Sequence, residues 1–199
     1  MNGILIAPLL SLFLVASAAG PAGKHDVDPV TSGPNPVQAA AIDGIFLQLA
    51  DVAGEASDPG HEEWMKVRSF EWGADRAAAA LRLAERRRVP VQFSQLRILK
   101  PVDAGTARIM GLCAEGQPIA EGALEAVAAT GGRTVYRLEI EGVTVVSAQV
   151  TGEGPDGALM EEISLAFQRI RWIYTELDSA GRPMGEVRGG WDVELDRVW

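Results

Sequence analysis

Two histidines and one cysteine, His25, His61 and Cys113, are the only imidazoles and thiol in the 199-residue chain. Acid–base catalysis and zinc ligation both need such groups to converge. Neither histidine has a second His or a Cys at metal-ligand spacing, and His61 sits in the acidic run DPGHEE, residues 58–63. It reads as a solvent-exposed loop residue. A lone cysteine excludes an intramolecular disulfide and a Cys-based zinc site, and Cys113, set in an apolar run, reads as core. No Gly-x-Ser-x-Gly elbow, His-Glu-x-x-His helix or P-loop occurs.

Two further patterns resemble sites only by letter. Residues 152–157, GEGPDG, match the glycine spacing of a dinucleotide fingerprint. That motif must open a helix whose N-terminus carries the pyrophosphate, whereas Pro155 and the following ALMEEISLAF lead into a strand, so a turn is expected. Asp192, Glu194 and Asp196 could form a calcium ladder, but carboxylates two apart on a strand ordinarily solvate its outer face. The residues therefore point to no enzyme, no cofactor and no metal.

Charge and composition narrow the remaining classes. A formal net charge of -9 argues against a nucleic-acid binder, which needs surplus Lys and Arg, and 47% hydrophobic residues suffice for one sizeable core. Residues 74–89 run against this acidity: Arg76, Arg82, Arg86, Arg87 and Arg88 outnumber Asp75 and Glu85. The segment reads either as a solvated loop or as an arm reaching an acidic surface on a neighbouring copy. It lacks the interleaved aromatics that stack bases.

At the N-terminus, residues 4–15 form an apolar run broken only by Pro8 and Ser11 and are followed by Ala16-Ser17-Ala18, the small-x-small spacing of a signal-peptidase site. No Lys or Arg precedes the run, which is also too short to span a bilayer. Residues 1–19 are thus either a signal peptide or the product of a start assigned too far upstream. Residues 20–41 have a Pro-rich, aperiodic linker composition, and the folded domain is expected over 42–199.

From there, short alternating runs separated by glycine predict strands over 43–49, 63–72, 91–100, 123–129, 133–141, 143–150, 164–178 and 187–195, with a hairpin turn at Gly131-Gly132. Asp103 offers an N-cap to one helix over 104–115, closed by Gly116. The sum is a mainly β protein: a small antiparallel β-barrel of two packed sheets with one flanking α-helix. Three strands change parity midway. Leu165 and Phe167 give way to Ile170, Trp172 and Tyr174; Met65 and Val67 to Phe70 and Trp72; Val91 and Phe93 to Leu96 and Ile98. Either each carries a bulge, or half of each strand faces another subunit.

Six stretches in order resemble one family: IDGIFLQLADVAGEA (42–56), SFEWG (69–73), LRILKPVDAGTARIMGLCAEGQPIAEGAL (96–124, with Lys100, Asp103 and Gly116), VTVVSAQVTG (143–152), EISLAFQRIRWIYTELDSAGRP (162–183) and GWDVE (190–194). These resemble Hcp, the haemolysin co-regulated protein of type VI secretion systems. The resemblance implies a compact β-barrel, six copies in a ring, and rings stacked into a hollow secreted tube that carries small effectors. It implies sheath and spike proteins as partners, assembly in the cytoplasm before secretion, no membrane in the mature form and no catalysis. The alternative is an exported periplasmic binding or adaptor barrel that keeps the fold without the tube. Residues 1–41 lie outside the resemblance, and residues 74–89 fall where the family has a long, often glycine-rich loop. The candidate subunit-interface residues are Arg76, Arg82, Arg86, Arg87 and Arg88 with Asp58 and Glu62 of the loop 51–62.

Overall fold

A computed structural model describes residues 40–76, 90–152 and 157–199. Within it, the described residues form one compact unit. The expected leader, residues 20–39 of the expected linker, and Arg82, Arg86, Arg87 and Arg88 lie outside the described residues.

The strands are β1 (Ile42–Leu49), β2 (Met65–Lys66), β3 (Ser69–Glu71), β4 (Ala74–Asp75), β5 (Gln92–Phe93), β6 (Leu96–Pro101), β7 (Ile119–Ala128), β8 (Thr134–Gly152), β9 (Leu159–Ala166), β10 (Arg169–Leu177), β11 (Pro183–Asp192) and β12 (Arg197–Val198). One helix, α1 (Thr106–Glu115), lies between β6 and β7. All strand pairings are antiparallel. One sheet runs β12-β11-β10-β8-β7-β1-β2, and β8 continues into a second made of β8, β9, β6 and β3. Leu47, Leu49, Met65, Leu96, Ile98, Leu124, Leu138, Ile140, Ile163 and Leu165 fill the space between them, and Ile109 and Leu112 of α1 seal it.

The segments expected over 133–141 and 143–150 are one 19-residue strand, β8, which belongs to both sheets. Gly142 lets it pass from one to the other: its φ is +61°, a region open to glycine, and the Gln168 side chain occupies the space a Cβ would need. The expected barrel is not closed by a continuous ladder. On the far side the β2–β3 segment bridges the sheets, where Val67 N donates to Ile45 O (2.8 Å) and Arg68 N to Leu99 O (2.8 Å).

The parity changes are strand ends. Residues 164–178 divide at Phe167–Gln168 into β9, in the second sheet, and β10, in the first. Residues 63–72 divide at Val67–Arg68 into β2 and β3, again in different sheets, and 91–100 into β5 and β6. Each break re-aims the chain so that both halves turn apolar residues inward. Register shifts occur elsewhere, for example between Val145 and Ser147.

Helix α1 starts later than expected. Gly105 occupies the N-cap position with no side-chain cap, while Asp103 Oδ1 accepts from Gly105 N (2.9 Å). Gly116 ends the helix at φ +64°, and Gly131 and Gly132 both have positive φ in the β7–β8 turn. The strand expected over 187–195 stops at Asp192, whose Oδ1 accepts from Leu195 N (2.8 Å) to form a turn. Asp192, Glu194 and Asp196 therefore form no strand row. Of the GEGPDG segment, residues 153–156 lie outside the described residues; Gly152 ends β8, and the next element among the described residues is its antiparallel partner β9, not a helix. Cys113 is half-buried against the core.

Candidate interaction surface

Two buried polar knots hold the loops over the sheets. In the first, Lys100 on β6 is fully buried, and its Nζ donates to Asp103 Oδ1 (2.8 Å) and Pro101 O (3.0 Å) and pairs with Glu161 Oε2 (2.9 Å). Thr106, opening α1, donates from Oγ1 to the same Glu161 oxygen (2.8 Å). Glu161 Oε1 has no hydrogen-bond partner among the described residues. Strands β6 and β9 and the start of α1 are thereby joined through one ammonium group. A buried charge persists only when paired in this way.

The second knot overturns the reading of His61. Its ring stacks on Phe46 (centroids 4.2 Å), meets Trp64 edge-on (4.9 Å) and places Nε2 2.9 Å from Glu125 Oε2; it is buried, not a solvated loop residue. The reason is chemical: an imidazole offers an apolar face to Phe46 and a polar edge to a buried carboxylate. Glu125 also accepts from Thr134 Oγ1 (2.6 Å) and from Arg137. Burial pushes the Glu125 carboxyl up, but the bonds from Thr134 and His61 and the Arg137 guanidinium outweigh it and hold it below the usual range.

This knot fixes the loop that carries two of the expected contact residues. Asp58 pairs with Lys66 (2.8 Å), whose hydrogen bond keeps its carboxyl below the ordinary range. Glu62 Oε2 accepts from Gly60 N (3.0 Å). Arg76 is exposed just beyond β4. The structure thus places Asp58 and Glu62 together on one loop, with Arg76 beside the separate β4–β5 ladder.

On the outward face of the first sheet, Arg171 and Arg169 of β10 bond Glu139 and Glu141 of β8 across the strands, and Arg137 bonds Glu139 along β8. The opposite face of β10 and β11 is apolar. There Ile170 pairs with Trp191, Trp172 with Gly189 and Tyr174 with Val187, while Trp191 also pairs with Val198 of β12. Near β8 this face is covered. Trp72 stacks with Phe93 (6.5 Å) and packs on Trp172 (5.6 Å), Phe70 stacks with Tyr136 (6.2 Å), and Trp72 Nε1 donates to Tyr136 OH (3.0 Å). Burial raises the Tyr136 phenol. Further out the cover ends: Tyr174, Val187 and Val198 are 47%, 71% and 74% exposed.

The parity pattern points to Trp172 and Tyr174, but nothing in the sequence singles out Val187, Val198, Glu125 or Glu161. Among the described residues no group of three His, Cys, Asp or Glu side chains is placed to hold a metal ion, and no helix is long and apolar enough to cross a membrane.

Fold and surface together define a mainly β, barrel-like protein whose β10–β11 end presents an uncovered apolar face. The family model described as "Type VI secretion system effector, Hcp" matches residues 46–174, and the chain belongs to that family. It is similar to a solved structure described as a type six secretion system protein, with 24% identity, a TM-score of 0.73, 80% of this chain covered and 100% of the other. It is also similar to Hcp1 from Salmonella typhimurium (18%, 0.66, 78% and 98%). A type VI secretion system effector from Yersinia pestis matches likewise (16%, 0.61, 75% and 99%). No curated protein matches. Hcp proteins are secreted components of type VI systems, so the expected family and fold class hold, with the barrel left open.

Proposed function

We propose that the protein is a non-enzymatic tube subunit that forms hexameric rings, that the rings stack into a hollow secreted tube, and that small effectors travel in its lumen. The observation that carries this reading is the uncovered apolar stripe of Tyr174, Val187 and Val198, continuous with the core-facing side of β10 and β11. Burying each such side chain stabilises by about 1.5–3 kcal/mol, and a neighbouring subunit is the cover that a closed ring supplies. Loop 51–62, with Asp58 and Glu62, and the segment with Arg76, Arg82, Arg86, Arg87 and Arg88 are the further contact candidates: opposite charges would set the register between copies. Sheath and spike proteins are the partners this role requires.

Light scattering behind size exclusion tests the reading on the full chain. The expected particle is about six times the 21.2 kDa chain mass. The double variant Tyr174→Arg with Val187→Glu should shift it to single chains without lowering the melting temperature, because both side chains are already exposed. A parent that stays monomeric at every concentration would refute the ring.

A further inference from the structure

The outer edge of β11 is treated unevenly along its length. From Pro183 to Gly189 nothing pairs with it among the described residues. This stretch protects itself: Pro183 has no N–H to offer, and Glu186 and Arg188 put charge on the edge. The remainder, Gly190-Trp191-Asp192, has no proline and a single charge, Asp192, whose carboxylate is turned to Leu195 N, and it includes a large aromatic residue.

The last seven residues cover that remainder. Val193 N bonds Gln168 O (2.8 Å), Asp192 caps the reversal through Leu195 N, and Asp196 takes a left-handed φ of 46°. Strand β12 then pairs Val198 with Trp191 and Arg197 with Asp192, and Trp199 N donates to Gly190 O (3.3 Å). A Cβ on Gly190 would lie 2.7 Å from the Trp199 carbonyl oxygen, so the glycine is what admits this approach. The Trp199 ring lies under the guanidinium groups of Arg171 (4.4 Å) and Arg169 (5.3 Å), which Glu139 and Glu141 hold from the other side. Contacts of this kind between a cation and a ring face are favourable even at exposed sites.

We propose that residues 193–199 act as an edge strap: they occupy the undefended end of β11 and so keep a strand of a second copy from adding to the sheet there. The strap limits this open-ended mode of association, which is distinct from the face-to-face contact proposed for the ring. A sheet edge left open is a template for strand addition, and non-closing addition produces chains of subunits rather than a ring.

The test compares Trp199→Ala, which removes the indole held beneath Arg169 and Arg171 and leaves Val198 of the exposed apolar stripe in place, with the parent by sedimentation velocity at matched concentrations, with far-UV and near-UV circular dichroism to verify folding. The folded variant should show a weight-average mass at least about twofold above the parent, rising with concentration. Gly185→Lys, placed where an added side chain meets open space, should reverse that gain by adding a charge along the edge. If Trp199→Ala does not fold, Gly190→Ala, whose added Cβ would meet the Trp199 carbonyl oxygen, is judged by the same two criteria. A folded variant with the parent's mass distribution overturns the strap, as does association that Gly185→Lys leaves untouched. The strap is decided by the difference between variant and parent, whereas the ring is decided by the mass of the parent alone, so either can fail without the other.

Discussion

Replacing Lys100 with methionine should be the most damaging single change in the core. Methionine fills nearly the same volume, so packing is retained while the charge is removed. Lys100 is fully buried, and its Nζ is the ammonium shared by Asp103 and Glu161 at 2.8 and 2.9 Å. Glu161 is itself fully buried with one oxygen already unpartnered, so loss of the lysine strands a carboxylate away from water. Breaking a buried pair from one side costs about 3–5 kcal/mol. With a urea dependence of about 2 kcal/mol per molar for a unit of this size, the unfolding midpoint should fall by about 2 M. Urea titration at one fixed protein concentration, followed by tryptophan fluorescence, measures this. Adding Glu161→Leu to Lys100→Met should recover at least about 1 kcal/mol, because the stranded charge is then gone. A loss below about 1 kcal/mol for Lys100→Met, or a double variant no better than the single, would refute the reasoning.

Three further outcomes follow from the loop and its knot. Gly54→Ala would place a Cβ 2.5 Å from the Trp64 carbonyl carbon and 2.6 Å from Met65 N; since backbone cannot rotate away, thermal melts should show a loss of about 1–3 kcal/mol. His61→Ala removes the ring between Phe46 and Trp64 and one donor to Glu125, so amide hydrogen exchange over residues 53–64 should accelerate while that of β9 stays unchanged. Glu125 has a lowered folded-state pKa, so its contribution is present above the unfolded carboxylate value and is lost as pH falls through the folded one. Glu125→Gln should therefore be less stable than the parent at neutral pH, and the gap should close in acid; a gap of constant size from neutral pH to acid would sink that account.

Much of the fold is legible in the sequence because alternation, glycine turns and the Gly116 stop are local signals. The helix, the glycine pair of the β7–β8 turn and most strands lie close to where those signals place them. The parity changes are visible in the sequence, but their cause is not. A bulge and a two-residue passage between sheets shift the alternation alike, and only long-range pairing separates them. His61 misleads for a related reason: its acidic neighbours Glu62 and Glu63 suggest solvent, whereas its partners Phe46 and Glu125 are remote in the chain. Lys100 and Glu161, each in an alternating run, give no sign of meeting.

Gly142 has a mechanical consequence. Strand β8 is one unbroken backbone from the first sheet into the second, and at Gly142 it is clasped to the neighbouring β9–β10 junction by Gln168 N bonding Glu141 O (2.9 Å). A pull on the β10–β11 flap therefore reaches the opposite wall through two covalent passages that lie side by side, Gly142 within β8 and Phe167–Gln168 between β9 and β10, rather than by sliding of packed side chains. A fold built this way can bear load along β8.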